Sequence, residues 1–290
     1  MGVSTAVPPQ ETEGNRIGWV TRRIENAEGQ SSGRRWYWGL LTATVVVGVW
    51  AIVAAAGVWS SAILPSPAQV VTAFVQSVTT HDGVKGLAGD YLWVHWWASL
   101  KRILWGIGWG VVIGVPLGLF LGLSRGASRI LGPAVDFLKA LPPLGYFPLL
   151  ILWFGINDEA KIWLLLIAAF PPIAIATAAG VANVRNERVN AALVLGAGRT
   201  DLLTKVIVPS VIGDVVTGIR IASGFAWSTI VAAETTNGLP GIGGLAWSSQ
   251  KELRADVAIL AVIVIGLTAI VIDAGLRFVE REFAPWKGRA

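Results

Sequence analysis

NAALVLGAGRTDLLTKVIVPS, Asn190 to Ser210, lies between two long apolar runs. It carries Arg199, Asp201 and Lys205, and its only glycines, Gly196 and Gly198, stand near its middle. Its flanks have the length and composition of membrane spans, which makes it a water-facing loop. No lipid covers its apolar residues, Ala191, Leu195, Leu202 and Val206, so a protein surface must. Gly196 inside a helix would cost about 1 kcal/mol relative to Ala. A tight turn between two short helices, where a side chain would clash with a neighbour, is therefore expected there. Two roles fit that shape. A soluble partner could push on the pair as a lever, or the pair could pack on the chain's own spans. Spacing alone supports both equally.

Composition says what kind of chain surrounds this loop. Of its 290 residues, 54% are hydrophobic and only 14% charged, and the mean hydropathy is +0.63. A soluble domain carries about 25% charged residues. The apolar residues come in runs of roughly twenty, enough to cross a bilayer core of about 30 Å. The sequence is that of an all-α, polytopic integral membrane protein. Trp36, Trp38, Trp59, Trp93, Trp96 and Trp286 stand near span ends, as interfacial anchors do. The absence of Cys excludes disulfides, Cys-ligated metal and thiol catalysis.

Six spans are predicted, at about 38–59, 100–123, 133–155, 162–182, 211–233 and 257–277, within a membrane domain at 36–284. Residues 1–35 read as a disordered cytoplasmic tail and 285–290 as a second one. No apolar run followed by a cleavage site heads the chain, so no signal peptide is expected. In LPSPAQVVTAFVQSV, Leu64 to Val78, the prolines end the first span. The spacing of Val70, Phe74 and Val78 then predicts a short amphipathic surface helix. The second span carries Gly106, Gly110, Gly114, Gly118 and Gly122, a stripe of small residues that lets helices approach closely. LPPLGYFP, Leu141 to Pro148, holds three prolines, which forbid one uninterrupted helix. Irregular backbone at membrane depth survives only when buried in protein or lining a cavity. TTNGLPGIGGLAWSSQ, Thr235 to Gln250, reads as a Gly-rich loop.

Six spans put both termini on one side. The tails and the second–third and fourth–fifth loops hold sixteen of the 23 Lys and Arg. The other side holds six: Lys85, Lys101, Arg102, Lys161, Lys251 and Arg254. This bias places both termini, and the loop at 187–209, in the cytoplasm. It also explains a basic net charge of +5 without nucleic acid.

Ionisable residues in a span cost at least about 2.5–3.5 kcal/mol on insertion scales. Arg220 and Asp214 are six apart and share no helix face, so Arg220 is expected to meet a partner on another segment. Glu234, at the end of the fifth span, could gate a pathway or pin the Gly-rich loop. Asp273 and Arg277 have the spacing of a helical ion pair. A translocation path is sought at Pro142, Pro143 and Tyr146 in the broken segment, and at Arg220, Ser223, Trp227, Ser228 and Glu234 on the fifth span. Ser side chains there also bond their own backbone. No phosphate-binding loop, dinucleotide fingerprint or His-Glu metal motif occurs. His81 and His95 are the only histidines, so no metal site is expected and any ATP must be bound by another chain. A secondary transporter would show repeat symmetry and mid-membrane carboxylates, and neither is clear. A membrane enzyme would need clustered catalytic side chains.

At this point the residues resemble a known family. The loop is similar to the EAA loop of bacterial ABC importer permeases: EAA, three residues, G, nine residues, I, one residue, LP. Ala191 and Ala192 match the alanines, Gly196 the glycine, Val206 the Ile, Val208 the Leu and Pro209 the proline. Asn190 replaces the acidic residue, which removes any salt bridge from that position. LPSPAQVV, SRGASRILGPAVDFLKALPPLGYFPLLILWFGI, TGIRIASGFAWSTIVAAE and FAPWKG resemble the taurine, aliphatic-sulfonate and nitrate branch, over about residues 36–288. ADVAIL and the Pro-Trp-Lys-Gly ending lean toward taurine members.

The resemblance implies a type I ABC importer permease fold of six transmembrane helices with a cytoplasmic coupling helix, in a bacterial inner membrane. It implies that Asn190, Ala191, Ala192, Leu195, Gly196, Ala197, Arg199 and Pro209 meet an ATPase. Implied partners are two cytoplasmic ATPase subunits, which carry ATP and Mg, a second copy of this permease, and an extracytoplasmic substrate-binding protein. The implied cargo is a small organosulfonate such as taurine. Nitrate, bicarbonate, cyanate or a thiamine-precursor pyrimidine are alternatives.

Overall fold

The computed structural model describes residues 35–81, 83–238 and 240–283. The expected tails, with Trp286, lie outside the described residues, except that Arg35 begins a helix. Residues 1–59 and 60–290 are separate compact units. In the first, α1 spans Arg35–Ala55, so the first predicted span stops four residues earlier than expected.

The second unit contains α2 (Pro67–Val78), a hairpin of β1 (Thr80–His81) and β2 (Val84–Lys85), α3 (Leu92–Leu123), α4 (Arg125–Ala140), α5 (Pro143–Phe154), α6 (Asp158–Ala182), α7 (Asn186–Val194), α8 (Arg199–Asp201), α9 (Val208–Asn237), α10 (Ile242–Lys251) and α11 (Ala255–Phe283). α8 runs through a π-helical stretch, Leu202–Ile207, into α9.

α2 starts at Ser66, whose hydroxyl accepts from Gln69 N–H (3.3 Å) while Gln69 Oε1 accepts from Ser66 N–H (2.7 Å). Pro67 follows at the first helical position, where a missing N–H costs nothing. Its buried residues are Val70, Ala73 and Ser77, whereas Phe74 is exposed. The expected helix is present, with its buried face turned by about one residue from Val70, Phe74 and Val78.

The glycine stripe decides how the central helices pack. A Cβ added at Gly106, Gly110, Gly114, Gly118 or Gly122 would meet Leu165, Ala169, Ile173, Thr177 and Val181 of α6 in turn. Both series advance by four in the same direction, so α3 and α6 are parallel, with backbones too close for any side chain on that stripe. Two parallel helices need a connection that returns across the bundle. α4 and α5 supply it, bent by 95° between Ala140 and Pro143. Pro142 and Pro143 make the break, and Pro148 stays inside α5. Among the described residues, five helical segments are long and apolar enough to cross a membrane, and six if the bent pair counts as one.

α9 packs against α6 in the opposite direction. Gly180 lies on Val211 and Asp214, Gly218 on Ala176 and Ile173, and Leu165 on Ala226, Trp227 and Ile230. The end of α11 returns to the early part of α9, where Asp273 bonds Arg220. One end of this unit therefore gathers the C-termini of α3, α6 and α11 with α7 and α8. The other gathers the N-termini of α3 and α6 with α10. Thr235–Gln250, read as a loop, contains that helix. Its glycines sit against backbone: a Cβ at Gly243 would collide with Val231 O, and one at Gly244 with Gly238.

Candidate functional site

The loop at 187–209 forms a helical hairpin at the first end. α7 contributes no buried residue. It closes with Gly196 N–H donating to Leu193 O (2.9 Å) and Ala197 N–H to Ala192 O (3.0 Å). These two bonds are a Schellman stop, which places its last residue in the left-handed region. Gly196 has φ +83°, as that motif requires. The expected clash with a neighbour is absent, because a Cβ there would have nothing within 4 Å; the left-handed backbone alone sets the requirement. α8 begins after Gly198, and Lys205 bridges Asp201 at 2.6 Å.

The stop leaves an apolar tip bare. Leu193 is 51%, Val194 88% and Leu195 87% exposed. Asn190, Ala191 and Arg199 are also exposed, while Ala192, Ala197 and Pro209 are half-buried. The end of α7 thus presents three consecutive uncovered aliphatic side chains, an exposed apolar surface. Packing on the chain's own spans, the other role open to it, covers Leu202 and Val206 only in part and leaves this tip bare.

At the opposite end a buried polar cluster holds α10. Glu234, with a 0% exposed side chain, accepts from Arg102 Nη1 at 2.6 Å and from Ser99 Oγ at 2.8 Å. Arg102 also holds Asp158 Oδ1 through Nη2 (2.6 Å) and Nε (2.8 Å). Three side chains satisfy the first N–H groups of α10, which a helix cannot satisfy itself. Gly241 N–H donates to His95 Nδ1 (3.2 Å), Ile242 N–H to Ser99 Oγ (2.9 Å) and Gly243 N–H to Glu234 Oε2 (2.9 Å). Since Nδ1 accepts, Nε2 carries the ring proton and donates to Leu87 O at 3.2 Å. His95 thus joins the hairpin loop to α10 in its neutral form. A carboxylate at a helix N-terminus is also favoured by the helix dipole.

The residues sought as a path are not gathered in one place. Pro142 and Pro143 line an apolar cavity of about 410 Å³ with Ile221 and Phe225 of α9. Tyr146 packs beside Phe147, Leu164 and Ala233. Trp227 is buried among Ile103, Leu165 and Ile230. Ser223 and Ser228 donate to Ile219 O and Gly224 O, their own helix backbone. Arg220 does meet another segment: its Nε lies 2.7 Å from Asp273 Oδ1 and its Nη1 3.5 Å from Glu280 Oε2. Asp273 also pairs with Arg277 at 2.5 Å, as the spacing predicts. Glu234 pins the Gly-rich segment. Among the described residues, the buried side-chain polar atoms without a partner are Tyr146 OH and Trp227 Nε1.

Sequence reasoning missed His95, Ser99 and Arg102. Arg102 was read only as a flanking charge. The available signal was the GIGG run, Gly241 to Gly244, whose glycines admit the Glu234 carboxylate and neighbouring backbone.

Comparison with known proteins adds what geometry cannot. Residues 114–285 match the family model described as binding-protein-dependent transport system inner membrane component. The taurine transport system permease protein TauC of Escherichia coli (strain K12) is 36% identical over 271 residues, 91% of this chain and 97% of that protein. SsuC of the same organism, named for transport of aliphatic sulfonates, is 36% identical over 241 residues, 83% of this chain and 88% of that protein. The nitrate import permease protein NrtB of Leptolyngbya laminosa is 35% identical over 155 residues, 53% of this chain and 56% of that protein. Among solved structures, a chain of the MetNI methionine ABC transporter in inward facing conformations, CY5 native crystal form, aligns with a TM-score of 0.53. It is 21% identical and covers 65% of this chain and 97% of that one; this shows the fold, that of a type I ABC importer permease. The relatives are transport permeases rather than enzymes. With more than half its length inside the family pattern, the chain belongs to the binding-protein-dependent transport system inner membrane components, as an ABC importer permease subunit.

Proposed function

We propose that this chain forms the membrane path of an ATP-driven importer for a small organosulfonate such as taurine. It works by alternating access between the two membrane faces. The observation that carries the mechanism is the bare tip of α7, Leu193, Val194 and Leu195. Those side chains dock in an ATPase subunit, which binds ATP and Mg. Two such subunits act on two copies of this permease. The Lys and Arg bias supports cytoplasmic termini and a cytoplasmic α7. α10 and the β1–β2 hairpin then face the extracytoplasmic binding protein, which selects the cargo.

The path runs along the exposed face of α9, Ile221, Phe225 and Ser228, beside the break at Pro142 and Pro143. The second copy closes it from the other side. Taurine is favoured because the likeness to TauC extends over 91% of the chain. The nitrate permease covers 53%, which supports nitrate as the second reading. Uptake of labelled taurine, measured in cells with and without the chain, tests the assignment. Chain-dependent uptake that competes with excess unlabelled taurine and not with nitrate supports it. Chain-dependent nitrate uptake alone would replace it.

A further inference from the structure

His95 joins two segments through one neutral ring. It stands in the first turn of α3 and is 1% exposed. Its Nδ1 accepts from Gly241 N–H at the start of α10, and its Nε2 donates to Leu87 O in the loop that follows the hairpin. Only a neutral ring can do both, because an imidazolium carries a proton on each nitrogen and accepts nothing. Below about pH 6.5 a free imidazole gains its second proton. In this site that proton would set Nδ1–H against Gly241 N–H, two donor nitrogens 3.2 Å apart. Water cannot relieve the opposition, since His95 and Gly241 are both buried. One partner must leave.

The surroundings decide which. Asp90 lies in the same loop as Leu87, and its charge attracts an imidazolium. The bond to Leu87 O survives protonation. The N-terminus of α10 is the positive end of a helix dipole and repels the new charge. The protonated ring therefore stays with the loop, and α10 is released. From the elements packed on α3, the ionisable groups at this end are Glu234 of α9, Asp158, Glu159 and Lys161 of α6, and Lys251 of α10; α2 has none. Glu234 is engaged by Arg102, Ser99 and Gly243 N–H, and none of these groups is bonded to the ring.

We propose that His95 is a pH-operated latch, which holds α10 against α3 while neutral and lets it go once protonated. With this end facing outward, as the transport reading has it, the latch samples the acidity outside the cytoplasm. Acid then loosens the surface offered to the binding protein.

The test uses the purified full-length chain in detergent, so it depends neither on that orientation nor on any cargo. The chain has no Cys. Leu245→Cys places a thiol on α10 at a site 2% exposed, and Gln250→Cys places one at an exposed site. Their rates of reaction with dithiodipyridine are compared at about pH 7.5 and about pH 5.5, either side of the free imidazole value. The closed state binds no proton on His95 and the open state binds one, so opening is favoured as pH falls. For a ring that titrates only when released, the rate at Leu245→Cys relative to Gln250→Cys should rise about tenfold in acid. His95→Asn leaves an amide oxygen to accept from Gly241 and nothing that titrates, so its ratio should be the same at both pH values. His95→Ala removes the acceptor and should give a high ratio at both. An unchanged ratio with His95 in place, or an equal rise in His95→Asn, would overturn the proposal. So would a ratio in His95→Ala as low as that of the neutral latch.

Discussion

Arg102 and Glu234 are 132 positions apart in sequence and form a 2.6 Å ion pair in which neither side chain is more than 4% exposed. Each is held again from elsewhere, Arg102 by Asp158 and Glu234 by Ser99 and the backbone of α10. The pair therefore fixes α3, α6, α9 and α10 to one another at a single point. Burying two charges is costly, and the geometry offsets the cost only because every donor aimed at the carboxylate is used.

Removing the carboxylate should be much worse than neutralising it. Glu234→Ala leaves Arg102 Nη1, the Ser99 hydroxyl and the Gly243 N–H without their acceptor, and is expected to cost about 3–5 kcal/mol. Glu234→Gln keeps an amide oxygen in place and should cost less. Thermal unfolding of both variants in detergent checks the order. Equal midpoints would mean that the cluster does not hold this end together.

At Gly196 the backbone, not the available space, sets the requirement. A residue with a Cβ pays about 1–2 kcal/mol for a left-handed conformation, and Asn less than most. Gly196→Ala and Gly196→Trp should both impair ATP-driven uptake with the chain still inserted, and Gly196→Asn should retain most of it. A variant series that followed side-chain size alone would contradict this, since a Cβ at Gly196 has nothing within 4 Å.

The Arg220 cluster is half open to solvent, with side chains 31% and 35% exposed in the Arg220–Asp273 pair. Its net contribution is accordingly modest, about 1 kcal/mol or less. A double-mutant cycle of Arg220→Gln and Asp273→Asn measures it. A coupling several times larger would show a pair shielded from water in the assembled transporter.

Tyr146 supplies a test that separates packing from transport. Its hydroxyl is buried without a partner, an arrangement that costs roughly 1–3 kcal/mol. Tyr146→Phe should leave stability unchanged or raise it. A lower unfolding midpoint would show that the hydroxyl is satisfied after all. Taurine uptake by the same variant reports whether the hydroxyl serves the cargo.

The legible parts of this fold were those written in local pattern. The period of four in Gly106 to Gly122 marked the α3–α6 contact, the prolines at 142 and 143 marked the bend, and Gly196 marked the turn. What stayed hidden depends on pairs distant in sequence. Nothing near Arg102 distinguishes a buried bridging cation from a snorkelling one, and its partner lies on a helix 132 positions away. α10 was hidden because glycine lowers helix propensity. Here Gly243 and Gly244 are tolerated for the close approach they allow, and the helix start is capped by other segments.

The most direct test of the central claim, that the tip of α7 docks an ATPase subunit, uses the chain's lack of cysteine. Val194→Cys introduces one thiol at a site 88% exposed. Labelling with a membrane-impermeant maleimide in membranes of either orientation, with and without the ATPase subunit, reports side and cover together. The account predicts reaction from the cytoplasmic face only, and protection once the ATPase is assembled. Reaction from the outer face, or labelling that the ATPase does not change, would contradict it.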